Sequence, residues 1–332
     1  MYDMHYDLLT IIYYNMKNNN KMANPEKMIT DCQKIYNKGN IIGGIINLYF
    51  MSKDEMKKEL DINEDELMDI KSMFQKSISN LELLKQTGII PSNIYFMYSI
   101  EGCDYLKDEN DLEVLYEMGL RSILPVWNEK NKFGSGNRSK DGLTELGIKL
   151  IKKAIELNMI IDVSHANEQT FYDILNVIET EKKLGKKVNL IASHSNVRSL
   201  CDRERNLNDE QLRKLKDLAG YIGLFTNGNF LSKDNETISY EERQNNYLKH
   251  LNYIINNIGF STDKILVSTD DMNFDPDESY HNLEAFPIEM ISTKLHDLIE
   301  KNYNKEIADN ILVNNAQELF KNIKQKVYIN KY

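Results

Sequence analysis

Four short segments carry imidazoles and carboxylates just past apolar runs: Asp3-Met4-His5-Tyr6-Asp7, Ser99-Ile100-Glu101-Gly102, Asp162-Val163-Ser164-His165 and Ala192-Ser193-His194-Ser195. His, Asp and Glu are the donors of metal centres that activate water. In a strand, residues two apart point the same way, so His5 and Asp7 can serve one ion. Glu101 follows an apolar strand and precedes a glycine. A carboxylate there is costly to bury unless it is paired or metal-bound, and its two oxygens can serve two cations. His165 and His194 are 29 residues apart, one β-α unit, which makes their tips neighbours.

Two further groups face the same way. Asp270 follows Val267-Ser268-Thr269 and can exchange a proton with an attacking water or a leaving amine. Arg205 lies in the segment after His194 and suits a substrate carboxylate, although Arg203 competes with it and spacing alone does not choose. Cys103 sits two residues from Glu101 and reads foremost as a small buried side chain. His250, His281 and His296 fall on charged patterns and read as solvated.

Such residues need a frame. Eight strand candidates lie near residues 2–5, 42–49, 94–100, 121–126, 159–163, 189–193, 221–225 and 265–269. Several are runs of Ile and Val, as parallel strands buried on both faces require. Helical patterns fall at 24–38, 63–87, 143–158, 208–218, 239–258 and 285–302. This alternation predicts a (β/α)8 TIM barrel with ligands at the C-terminal mouth of its strands. No glycine-rich first turn supports a dinucleotide fold. One domain is expected over residues 1–322, with a loosely packed tail at 323–332. The Gly134–Asn137 stretch reads as a loop bordering the site.

Composition narrows the function. The 332 residues carry a net charge of −10, which argues against nucleic-acid binding. Three scattered cysteines make neither a disulfide framework nor a Cys-based zinc site. No secretory signal and no membrane-spanning run is visible, so the expectation is a cytoplasmic protein with no membrane partner.

The order D-x-H-x-D, I-E-G, D-V-S-H, S-H-S and then R-N-L resembles the membrane (renal) dipeptidase family of zinc metallopeptidases, from about residue 2 to about residue 320. Asp141-Gly142-Leu143-Thr144-Glu145-Leu146-Gly147 also resembles the family's stretch before the fifth strand. The resemblance implies a metal-dependent hydrolase barrel with two Zn²⁺ per chain. His5 and Asp7 would hold one, His165 and His194 the other, and Glu101 would bridge them. Arg205 matches the arginine that contacts the substrate carboxylate, and Asp270 the aspartate near the substrate amine and bridging water. Mn²⁺ or Co²⁺ suit the same donors. Family members often form dimers, so a homodimer is an expectation.

Two departures mark this chain. Where well-studied members place a histidine after the fourth strand, it has Trp127, in Leu124-Pro125-Val126-Trp127-Asn128. Trp127 can donate only its indole N–H to a substrate. A Trp-Asn version resembles some bacterial members. The eighth strand, usually S-D-F-D-G, reads Thr269-Asp270-Asp271-Met272-Asn273, which keeps the key aspartate and changes its surroundings. The expected function is hydrolysis of dipeptides with a free C-terminal carboxylate. The alternatives are a binuclear-zinc hydrolase of another small amide, lactam or lactone, and a catalytically silent barrel with a binding role.

Overall fold

The computed structural model describes residues 1–16, 25–49, 69–235, 237–270 and 284–323. Eight strands alternate with helices: β1 (Tyr2–Tyr6), β2 (Gly43–Tyr49), β3 (Tyr95–Glu101), β4 (Leu120–Leu124), β5 (Ile160–Asp162), β6 (Asn189–Ser195), β7 (Tyr221–Phe225) and β8 (Ile265–Ser268). All are parallel and hydrogen-bonded in chain order. The ring closes between its first and last members. The Asp270 N–H donates to His5 O at 2.9 Å, and Ser268 Oγ donates to the same carbonyl at 3.3 Å. Asp3 braces this seam by accepting from the Thr269 N–H at 3.0 Å and from the Thr269 hydroxyl. The predicted (β/α)8 barrel is the fold observed.

The helices are α1 (Leu8–Asn15), α2 (Pro25–Gln33), α3 (Ile70–Gln86), α4 (Asp111–Glu117), α5 (Glu145–Glu156), α6 (Glu168–Lys183), α7 (Asp209–Asp217), α8 (Tyr240–Tyr253), α9 (Ile291–Asn302), α10 (Lys305–Asp309) and α11 (Asn315–Lys321). Side-chain caps set several starts. Thr144 caps α5, Asn167 caps α6, and Asn208 and Ser239 close reciprocal capping boxes on α7 and α8. These orphan N–H groups lie at the mouth, so the βα loops that carry the chemistry end in a defined geometry.

The core has two parts. A large apolar layer fills the space between strands and helices. A smaller one fills the barrel below the mouth, where Ile45, Met97, Ile160, Ile191 and Leu266 meet Leu319 and Phe320 of α11. Gly223 is needed for close approach, because a Cβ there would stand 1.8 Å from the Ser193 carbonyl oxygen on the adjacent strand.

Helices α1, α4, α6, α10 and α11 were not among the expected patterns. In α1, Leu8 through Tyr13 are all buried, so its sequence has no polar face to betray the 3.6-residue period. The early part of the expected 63–87 helix, residues 271–273 and the expected tail beyond Ile323 lie outside the described residues.

Candidate active site

The first four ligand-type segments converge. His5 closes β1 beside Tyr6, and Glu101 is the last residue of β3. The Nε2 of His5 lies 3.0 Å from Glu101 Oε2. The Nε2 of His165 lies 3.0 Å from the other oxygen, Oε1, and 2.9 Å from Nε2 of His194. One atom each from His5, Glu101 and His194 fall within 4.8 Å of one another. All four residues are buried.

Position along the strands differs from expectation in detail. His194, like His5, is the penultimate residue of its strand. His165 lies three residues beyond β5, in a left-handed backbone conformation with φ of 66°. Asp270 lies two residues past β8, also left-handed, with φ of 49°. A non-glycine residue held there costs about 1–2 kcal/mol. At His165 the turn is tied down by Asp162, whose Oδ1 accepts from the N–H of Ser164 at 3.0 Å and of Ser193 at 3.1 Å.

A second ring of groups orients the imidazoles. His165 Nδ1 lies 2.9 Å from Asn128 Oδ1, so it carries the proton and Nε2 presents a lone pair inward. Ser193 Oγ lies 2.8 Å from Nδ1 of His194 and 3.2 Å from Nδ1 of His5. Asn128, Asp162 and Ser193 had no assigned role in the sequence reading. Their signal was adjacency, each standing one to three residues from an expected site residue.

The electrostatics fit a divalent cation. Burial pushes the Asp7 carboxyl well above its ordinary range, and Glu101 and Asp270 push the same way. Asp7 Oδ1 is buried without a hydrogen-bond partner. Burial and then Glu101 raise Asp270 to about 7, against the pull of His5 and Arg205. Burial, followed by Arg205, lowers His165 to about 3, and burial with His5 lowers His194 well below its usual value. Burial opposes the charge on His5, but Glu101, Asp270 and Asp7 together outweigh it and raise it to about 10. The lone pair of a neutral His165 thus faces both a carboxylate oxygen and a second neutral imidazole. Three carboxylates crowd the same volume. A bound cation would relieve that arrangement, and the donor set suits zinc-type ions.

The remaining expected residues line the mouth. Asp270 Oδ1 lies 3.6 Å from His5 Nε2. Arg205 is partly exposed, donates from Nη2 to His194 O at 3.4 Å and stands 6.0 Å over the Phe230 ring, whereas Arg203 is exposed. Trp127 packs at a tilt, with ring centroids 4.8 Å from Tyr49 and 6.1 Å from His165 and the Arg138 guanidinium 5.9 Å away. Ser135 and Gly136 pair with Lys130 and Ala166, which folds the Gly134–Asn137 loop against the turn bearing His165.

Two smaller readings resolve. Cys103 is a buried residue whose thiol donates to Leu124 O at 3.3 Å, in keeping with the structural reading. His250 is not solvated: it is buried, with Nδ1 accepting from the Val197 N–H and Nε2 donating to Leu231 O, each at 3.1 Å. Its helix α8 carries many charges, which hid an inward face. His296 is half-buried and pairs with Glu300 and Asp309, and His281 lies outside the described residues. Among the described residues no helix is long and apolar enough to cross a membrane.

Known proteins share this frame. The family model for membrane dipeptidases, peptidase family M19, matches residues 1–328. An uncharacterised protein from the pqqA 5′ region of Klebsiella pneumoniae is 33% identical over 236 residues, which is 68% of this chain and 81% of that one. A Rhodobacter sphaeroides metallopeptidase, solved with a phosphinate mimic of the dipeptide L-Ala-D-Ala, superposes with a TM-score of 0.69 at 20% identity, covering 97% of this chain and 99% of that chain. A dipeptidase of family M19 superposes with a TM-score of 0.71 at 19% identity, covering 97% of each. The two structures speak for the barrel, and the family match over nearly all of the sequence carries the assignment. The chain belongs to the membrane dipeptidase family, peptidase family M19.

Proposed function

We propose that this protein is a zinc-dependent dipeptidase that cleaves dipeptides bearing a free C-terminal carboxylate. The observation that carries the proposal is Glu101, whose two oxygens each face a different histidine at 3.0 Å. On this reading His5 and Asp7 would hold one Zn²⁺, His165 and His194 would hold a second, and Glu101 would be shared between them. The metals supply a water acidic enough to ionise near neutral pH and an electrophile for the scissile carbonyl.

The chain's own groups do the rest. Asp270 Oδ1, beside His5, accepts the proton of the attacking water and returns it to the leaving amine. Arg205 sets the polarity of binding by holding the terminal carboxylate in a bidentate pair. Trp127 and Tyr49 supply an aromatic wall beside His165 that excludes water. The dipeptide mimic bound to the Rhodobacter sphaeroides metallopeptidase supports a substrate of this class.

The test is metal content per chain, paired with hydrolysis of a dipeptide panel before and after chelation. About two zincs per chain, with activity lost on chelation and restored by zinc, is the expected result. Metal-loaded protein that cleaves no dipeptide, and behaves identically to His165→Ala, overturns the proposal.

A further inference from the structure

We infer that Arg198 and Asn206 are positioning residues that clamp the backbone on both sides of Arg205 and so set the selectivity for a substrate carboxylate. The inference rests on the dipeptidase reading of Arg205. The loop at residues 196–208 leaves β6 and ends at the cap of α7. Its base is zipped: Leu207 N–H donates to Asn196 O, and Arg198 N–H donates to Leu207 O, both at 2.9 Å.

Within this loop the Arg198 guanidinium spans the residues flanking Arg205. Its Nε donates to Asn206 O at 2.8 Å and its Nη2 to Glu204 O at 2.9 Å. Its Nη1 stands 3.5 Å from Glu168 on α6. From the other side, Asn206 Nδ2 donates to Cys201 O at 2.8 Å and to Phe230 O at 2.9 Å. Phe230 is also the ring under the Arg205 guanidinium. One amide therefore couples the backbone beside Arg205 to the surface on which its side chain rests. His250 anchors the base of the loop by taking the Val197 N–H while holding Leu231, the neighbour of Phe230.

An arginine reaching for a substrate loses rotamer freedom, and a loose loop would add backbone ordering to that loss. The clamp removes the backbone part before substrate arrives. Arg198 itself is partly exposed and its guanidinium contacts Asn206, Glu204 and Glu168, none of which is among the expected metal ligands, so removing it should leave the centre intact.

The experiment compares a dipeptide with its C-terminal amide in the zinc-loaded wild type, Arg205→Ala, Arg198→Ala, Arg198→Lys and Asn206→Ala. The wild type is expected to prefer the free acid, and Arg205→Ala to erase the preference through KM. Arg198→Ala is expected to reduce the preference ~5- to 50-fold through KM, with kcat within about twofold. Arg198→Lys, which can hold only one of the two carbonyls, should fall between. If folded Arg198→Ala and Asn206→Ala keep the full preference while Arg205→Ala loses it, the clamp is wrong and the reading of Arg205 stands. If Arg205→Ala keeps the preference, that reading fails and the clamp falls with it. Should Asn206→Ala not fold, Arg198→Ala and Arg198→Lys decide by the same readout.

Discussion

A single hydroxyl serves two imidazoles: Ser193 Oγ lies 2.8 Å from Nδ1 of His194 and 3.2 Å from Nδ1 of His5. With both Nε2 atoms serving a metal, both Nδ1 atoms would carry protons and the serine oxygen would accept both. Its own hydrogen then turns to the Asp162 carboxylate or to Ser164 Oγ at 3.4 Å. Ser193→Ala strands two N–H groups in a buried site. The substitution should weaken zinc binding ~10- to 100-fold in a chelator competition. Unchanged affinity would show that the histidines keep their orientation without it.

Metal removal should cost stability as well as activity. Stripping the ions leaves Asp7, Glu101 and Asp270 facing one another in a buried volume. A ligand present at a thousandfold excess over its dissociation constant stabilises the native state by about 4 kcal/mol. Thermal unfolding with and without chelator should show a Tm that falls on chelation and returns with zinc. A Tm indifferent to both would argue against a buried cation at this site.

His250 provides a pH signature away from the centre. Burial lowers its pKa to about 4, helped slightly by Lys249 and opposed by the bond to Leu231 O. The unfolded chain binds this proton from about pH 6.5 downward, and the native state only near pH 4. Stability from this group is therefore complete above pH 6.5, declines as pH falls toward 4, and loses on the order of 3 kcal/mol in all. Denaturant titrations of metal-free wild type and His250→Gln across pH 4–7 isolate the effect. The wild type should lose more stability than the variant on acidification, and equal slopes would refute the assignment.

Ala219 offers a stabilising change. It follows α7 with φ of 59°, a left-handed position where glycine is the usual residue. Ala219 is exposed, so Ala219→Gly removes no packing. The strain relieved exceeds the entropy that glycine adds to the unfolded chain, for a net gain of about 0.5–1 kcal/mol. A lower denaturation midpoint in the variant would contradict this.

The strands and the segments that carry the candidate site residues were readable because both leave one-dimensional marks. Parallel strands buried on two faces are unbroken apolar runs, and a His or Glu at the end of such a run has little structural reason to be there. Helix α1 left no mark, since a helix buried all round has no period. The left-handed turn at His165 depends on Asp162 reaching the N–H groups of Ser164 and Ser193, one of them on another strand. Arg198 and His250 are invisible for a related reason. The hydrogen bonds that give them their roles go to main-chain atoms, which every residue carries, so no residue type at any spacing announces the contact.

The seam that closes the barrel runs through the reaction centre. His5 supplies its imidazole to the cluster and its carbonyl to the N–H of Asp270. Residues at opposite ends of the described sequence must meet before either is in place, and that contact has the largest loop-closure cost of any in the ring. During synthesis the His5 imidazole emerges well before Asp270 and waits for it. On the proposed reading turnover would begin only when the last strand docks, so the onset of hydrolysis would serve as a clock for completion of folding.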